Sequence, residues 1–129
     1  MNLNVKIILA IVLSCAHSVF SAAQSSKKSA AEGFQLYTDS LFEESIEQYK
    51  NSLENSSNPE YQFNLGNAYL KNGNVDEAKK IFEQILNSKN SSSELKSKAA
   101  YNLGNLNFQD EDFGAAMKKY KESLIHNPK

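Results

Sequence analysis

Asn64-Leu65-Gly66-Asn67 and Asn102-Leu103-Gly104-Asn105 are one tetrapeptide met twice. Twelve residues after each glycine stands an alanine, Ala78 and Ala116, and sixteen after it an aromatic ring, Phe82 and Tyr120. A fainter copy precedes them as Gly33, Ser45 and Tyr49 at the same spacing. The glycines are 33 and then 38 residues apart, and the extra length of the second interval falls in the polar run from Ser88 to Ser93. A period in the low thirties marks a solenoid of helix-turn-helix units, in which no unit buries its apolar face alone and neighbours stack to do so. Small residues in both helices let two backbones cross closely, and the aromatic one turn further on fills the wedge between them.

Period and punctuation place helices at Lys28 to Asp39, Phe42 to Asn55, Pro59 to Lys71, Val75 to Ser88, Glu94 to Gln109 and Phe113 to His126. Asn72-Gly73-Asn74 predicts a left-handed turn followed by an N-cap at Asn74, with Glu77 completing a capping box. Asn58 before Pro59, Ser91 before Glu94, and Asp112 are the other predicted caps. No strand pattern competes, so the chain reads as all-α.

These residues resemble the tetratricopeptide repeat family, which spaces Leu-Gly, Tyr, Ala, an aromatic, Ala and Pro across about 34 positions. The second copy supplies Leu65, Gly66, Tyr69, Ala78, Phe82 and Ile85, and the third supplies Leu103, Gly104, Ala116, Tyr120, Ser123 and Pro128. The first departs from the pattern at Glu32, Ser45 and Ser52. The resemblance implies a right-handed superhelical solenoid of three repeats, over residues 26–58, 59–92 and 97–129.

Residues 1–23 read as a secretory signal. One positive charge lies in Met1 to Lys6, an unbroken apolar run follows from Ile7 to Leu13, and Ser21 and Ala23 suit cleavage after Ala23. That run is shorter than the roughly 20 residues of a membrane span. A second reading attaches a lipid to Cys15, because Val12-Leu13-Ser14-Cys15 is a loose lipoprotein box; it makes the chain a membrane-anchored envelope-assembly factor of the pilotin or outer-membrane assembly type. Either way the destination is outside the cytoplasm, the bacterial periplasm or envelope.

Composition excludes other classes. The charged residues are 14 Lys, with no Arg, against 15 Asp plus Glu. They give neither a basic field nor guanidinium forks for phosphate, so nucleic acid is not an expected partner. His17 lies in the leader, His126 lies at the chain's end, and Cys15 is the sole cysteine. That is too few parts for a nucleophilic triad or a zinc site. The expectation is a non-enzyme without cofactor, metal or small-molecule substrate.

What remains is a binding face. In the resembled family the first helices line a concave groove through the second, fifth, ninth, twelfth and thirteenth repeat positions, counted here from Ser26, Pro59 and Ser97. The candidate groove residues are Phe34, Tyr37, Phe63, Asn64, Asn67, Lys71, Lys98, Tyr101, Asn102, Asn105 and Phe108. Amides bond an extended peptide backbone and rings cover its side chains, so protein or peptide partners are expected. The family's carboxylate clamp is matched at Asn64 and Lys98 but not at Ala30, Phe34 and Asn102. The phrase from Ala99 to Asn105 is similar to the tetratricopeptide proteins of bacterial aerotolerance operons, which implies a von Willebrand type A domain protein as partner. At the C-terminal edge, Leu106, Met117 and Leu124 are expected to be partly uncovered, which suits self-association or a partner there.

Overall fold

The computed structural model describes residues 2–127, apart from the side chain of Lys6. Pro128 and Lys129, the close of the third copy's pattern, lie outside the described residues, as does Met1 at the head of the expected leader. The described residues form six helices and no strand: α1 (Leu3–Thr38), α2 (Phe42–Leu53), α3 (Pro59–Lys71), α4 (Val75–Asn87), α5 (Ser93–Gln109) and α6 (Phe113–His126). The helices pair as α1 with α2, α3 with α4 and α5 with α6. Each second helix also packs on the next first helix, and the first helices touch one another. That is the contact pattern of stacked hairpins.

α1 differs most from the sequence expectation. The helix expected from Lys28 continues instead from Leu3, because no Gly or Pro precedes Gly33 to break it. Its N-terminal part touches nothing that buries it: Leu3, Ile8, Val12 and Phe20 are all exposed. An 18-residue window of this helix has a mean hydropathy of 1.9, so it is apolar enough to cross a membrane by length and composition, as a signal sequence also is. The apolar stretch is therefore longer than the run Ile7 to Leu13 by itself suggested.

All three hairpin turns share one geometry. The fifteenth repeat position has a left-handed backbone each time, at Ser40 (φ 63°), Gly73 (φ 84°) and Glu111 (φ 61°). The next residue's N–H donates back to the first helix in every case, Leu41 to Leu36, Asn74 to Tyr69 and Asp112 to Asn107, each at 2.9 Å. This is a Schellman turn, which satisfies carbonyls that the ending helix leaves open.

The caps are mixed. Asn58 accepts from the Glu60 N–H and Asp112 from the Ala115 N–H, as expected. Asn74 does not cap α4; its Oδ1 accepts instead from Asn72 Nδ2 at 2.8 Å. α5 is capped by Ser92, which accepts from the Leu95 N–H, rather than by Ser91. The longer interval between the second and third glycines goes partly into α5, which has 17 residues against 13 in α3.

The helix crossings match the small-residue reading. A Cβ placed on Gly66 would lie 2.8 Å from Phe82 Cε1, and one on Gly104 would lie 2.6 Å from Tyr120. On Gly33 it would meet Tyr49 at 3.3 Å. Two apolar clusters lie between successive hairpins: Ala30, Ile46, Tyr49, Leu65 and Ala68 in one, and Phe82, Ile85, Leu95, Leu103 and Leu106 in the other. Leu106, expected near the uncovered edge, is thus buried, because it sits on the α4 side of α5 rather than on the α6 side. Met117 and Leu124 are exposed.

Candidate functional site

The first helices place their exposed rings along one face, and two clefts open there. The first, about 160 Å³, is lined by Phe34, Tyr37, Tyr49, Asn64 and Asn67, between α1, α2 and α3. The second, about 350 Å³, includes Phe63, Lys98, Tyr101, Asn102 and Leu124. A hydrogen bond from Asn102 Nδ2 to Asn67 Oδ1, 3.1 Å long, joins the two. Of the candidate residues, Phe34, Tyr37, Asn64 and Asn67 come together in one cleft, and Phe63, Lys98, Tyr101 and Asn102 in the other. Lys71, Asn105 and Phe108 line neither.

Ring pairs hold the floor of this face. Phe63 meets Phe82 at 5.7 Å between centroids, and Tyr101 meets Tyr120 at 5.8 Å. They are the same two repeat positions in successive hairpins. A second kind of pair recurs at the hairpin turns, Tyr37 with Phe42 at 5.5 Å and Phe108 with Phe113 at 5.3 Å. These edge-on pairs lock the orientation of rings that otherwise face water. Phe34, Tyr101 and Phe108 remain more than half exposed, at 59%, 55% and 56%. Phe63 is more covered and packs against the second apolar cluster.

Polar groups on the face are partly committed within the chain. Asn105 accepts a hydrogen bond from the Tyr120 hydroxyl at 2.9 Å. Asn64 bonds the Tyr49 hydroxyl, whose pKa is nonetheless pushed up to about 12, chiefly by burial, with Tyr37 adding to the rise. Lys98 pairs with Glu94 at 2.7 Å, and that hydrogen-bonded carboxylate raises its pKa from the usual lysine value. Asn64, Asn67, Asn102 and Asn105 thus each have a hydrogen-bond partner within the chain.

Sequence reasoning missed the serines beneath the face. Ser97 and Ser123 exchange hydroxyl-to-carbonyl hydrogen bonds, each 2.9 Å, and both border the second cleft. Ser26 donates to the Ser52 carbonyl at 2.6 Å in the first hairpin. Both pairs occupy the first and twenty-seventh repeat positions, so their recurrence was the available signal. Ser45, which departs from the alanine of the other copies, donates to the Gly33 carbonyl at 2.7 Å and is fully buried.

Cys15 is a free, exposed thiol on the apolar half of α1. Among the described residues no group of three or more His, Cys, Asp or Glu side chains is placed to hold a metal ion.

A family model described as tetratricopeptide repeat matches residues 36–94 and, overlapping, residues 63–129. Together the matches cover well over half of the chain, and the chain belongs to this family. The first match starts past Gly33, in the last turn of α1, where the least regular copy begins to follow the pattern. No curated protein matches the chain.

Proposed function

We propose that this member of the tetratricopeptide repeat family is an exported adaptor that holds an extended segment of a partner protein against its first-helix face. The family's general role as a protein-interaction module supports the coarse part of this reading. The observation that carries the finer part is the pair of clefts rimmed by the exposed rings of Phe34 and Tyr101. Exposed rings beside amides are the surface chemistry of a peptide groove. Export rests on the charge, apolar run and small residues of the N-terminal segment. The most specific form of the proposal is an envelope complex containing a von Willebrand type A domain protein, and it rests on the resemblance of Ala99 to Asn105 to the aerotolerance proteins.

The test is a pull-down from envelope extract with the wild-type chain, the double variant Phe34→Ala/Tyr101→Ala, and Lys80→Ala. Both rings are exposed, so their truncation leaves the core intact, whereas Phe63→Ala would also loosen the cluster it packs on. Lys79 is a poorer control than Lys80, because it bridges two hairpins through Asp110 at 2.5 Å. Hot-spot rings cost on the order of 1–2 kcal/mol each when truncated, so the double variant is expected to lose its partner while Lys80→Ala keeps it. Retention of every partner by the double variant would overturn the groove reading. Mass spectrometry of the mature N-terminus separates cleavage after Ala23 from acylation at Cys15.

A further inference from the structure

α6 presents Phe113, Met117 and Leu124 to solvent, exposed by 59%, 56% and 60%. They stand at the seventeenth, twenty-first and twenty-eighth repeat positions. In the two earlier hairpins those positions hold Phe42, Ile46 and Leu53, then Val75, Lys79 and Leu86, every one of them buried or half-buried. Ile46, Leu53, Val75 and Leu86 are covered from the following hairpin, whereas Phe42 stacks on Tyr37 of its own hairpin, as Phe113 does on Phe108. Ile46 and Leu53 pack with Leu65 and Ala68 of α3, and Val75 and Leu86 pack with Leu103 and Leu106 of α5. The molecule thus displays twice over what such a face receives.

A charged contact sharpens the specification. At the twenty-fifth position of the first hairpin, Lys50 Nζ lies 5.6 Å from the centre of the Tyr69 ring on α3, a cation–π distance. The same position of α6 is Lys121, exposed and beside the apolar stripe. Lys118 is exposed on the same helix, while Lys119 is paired with the helix's only acid, Glu122, at 2.9 Å.

We infer that α6 is a docking face for an amphipathic helix of a partner protein. That helix carries two aliphatic residues three apart with an aromatic directly after the second, as Leu65, Ala68 and Tyr69 do, and acidic residues on its flanks. A second copy of this chain is a poor occupant. Its own first-helix end presents Lys28, Glu32 and Gln35, all exposed, where α3 presents Tyr61, Leu65 and Ala68. Two α6 helices face to face would bring the lysines of each against the apolar stripe and the lysines of the other, which like-charge repulsion and desolvation oppose.

The test titrates a fluorescently labelled peptide of residues 57–74, which is α3 with its caps, against the full chain and follows anisotropy. Saturable binding is expected, weakened about tenfold or more by Met117→Glu and several-fold by Lys121→Glu, as for loss of a central anchor and of its charged neighbour. Both side chains are exposed, and circular dichroism melts verify that each variant keeps the wild-type fold. Lys80→Ala, exposed on α4 and away from both clefts, is expected to leave the peptide's affinity unchanged. Sedimentation of the wild type at high concentration is expected to show a monomer. Absence of binding, binding indifferent to Met117→Glu, or a dimer abolished by Met117→Glu would each overturn the inference.

Discussion

Each repeat glycine sits against a ring, and the three sites differ in how far that ring can yield. Phe82 is fully buried, Tyr49 is 1% exposed, and Tyr120 is half-buried. Gly66→Ala is expected to cost about 1–3 kcal/mol, because Phe82 has nowhere to move and overpacking outweighs the gain in helix propensity of about 1 kcal/mol. Gly33→Ala meets Tyr49 only at 3.3 Å, so there the two effects come close to cancelling; thermal melts of both variants check the order. Tyr49 itself gives a pH signature. Its folded pKa, about 12, lies above the unfolded value of about 10. The unfolded chain therefore loses this proton first, and the stabilisation, complete below about pH 10, is lost as pH rises toward 12. Urea midpoints measured at about pH 9 and about pH 11 are expected to fall more steeply for the wild type than for Tyr49→Phe, at up to about 1.4 kcal/mol per pH unit for this one group.

The helical hairpin is the element that the sequence made legible, and its turns show where legibility stopped. α3 and α6 begin and end where their caps and periodicity place them, because Pro59, Gly73 and Asp112 act on the backbone locally. The left-handed turn was readable only at Gly73. Ser40 and Glu111 adopt the same conformation without the residue that announces it, held by the identical Schellman bond. A non-glycine residue in that conformation costs roughly 1–2 kcal/mol, so Ser40→Gly and Glu111→Gly are each expected to stabilise the chain by about 0.5–1 kcal/mol, part of the relief being lost to unfolded-state entropy. Gly73→Ala is expected to destabilise by a similar amount; chemical denaturation of the three variants decides. The exposed rings of the first-helix face were legible, since repeat position places Phe34 and Tyr101 there without coordinates. Its committed amides were not, because whether Asn102 meets Asn67 or a ligand depends on the stagger of two hairpins, which no single repeat encodes.

At the scale of the whole molecule the stack is asymmetric, closed by polar residues on α1 and open along α6. Contacts between hairpins are limited to neighbours, so loss of one junction is expected to release what lies beyond it before the rest melts. Hydrogen exchange is expected to be fastest in α5 and α6 after Ala99→Glu, which places a charge in the junction between the second and third hairpins, while α2 and α3 keep their protection. Uniform loss of protection would mean that the three hairpins unfold as one unit. The long α1 bears on how such a chain matures. The Ser26 hydroxyl that ties the first hairpin to the Ser52 carbonyl lies downstream of Ala23, so a protease cutting after Ala23 removes a lever arm and leaves the hinge pin in place. Under the proposed export, cleavage and folding are then separable events. A chain beginning at Gln24 is expected to melt at the same temperature as the uncut one, so that under the proposed export a cleaved leader would take no part of the folded surface with it.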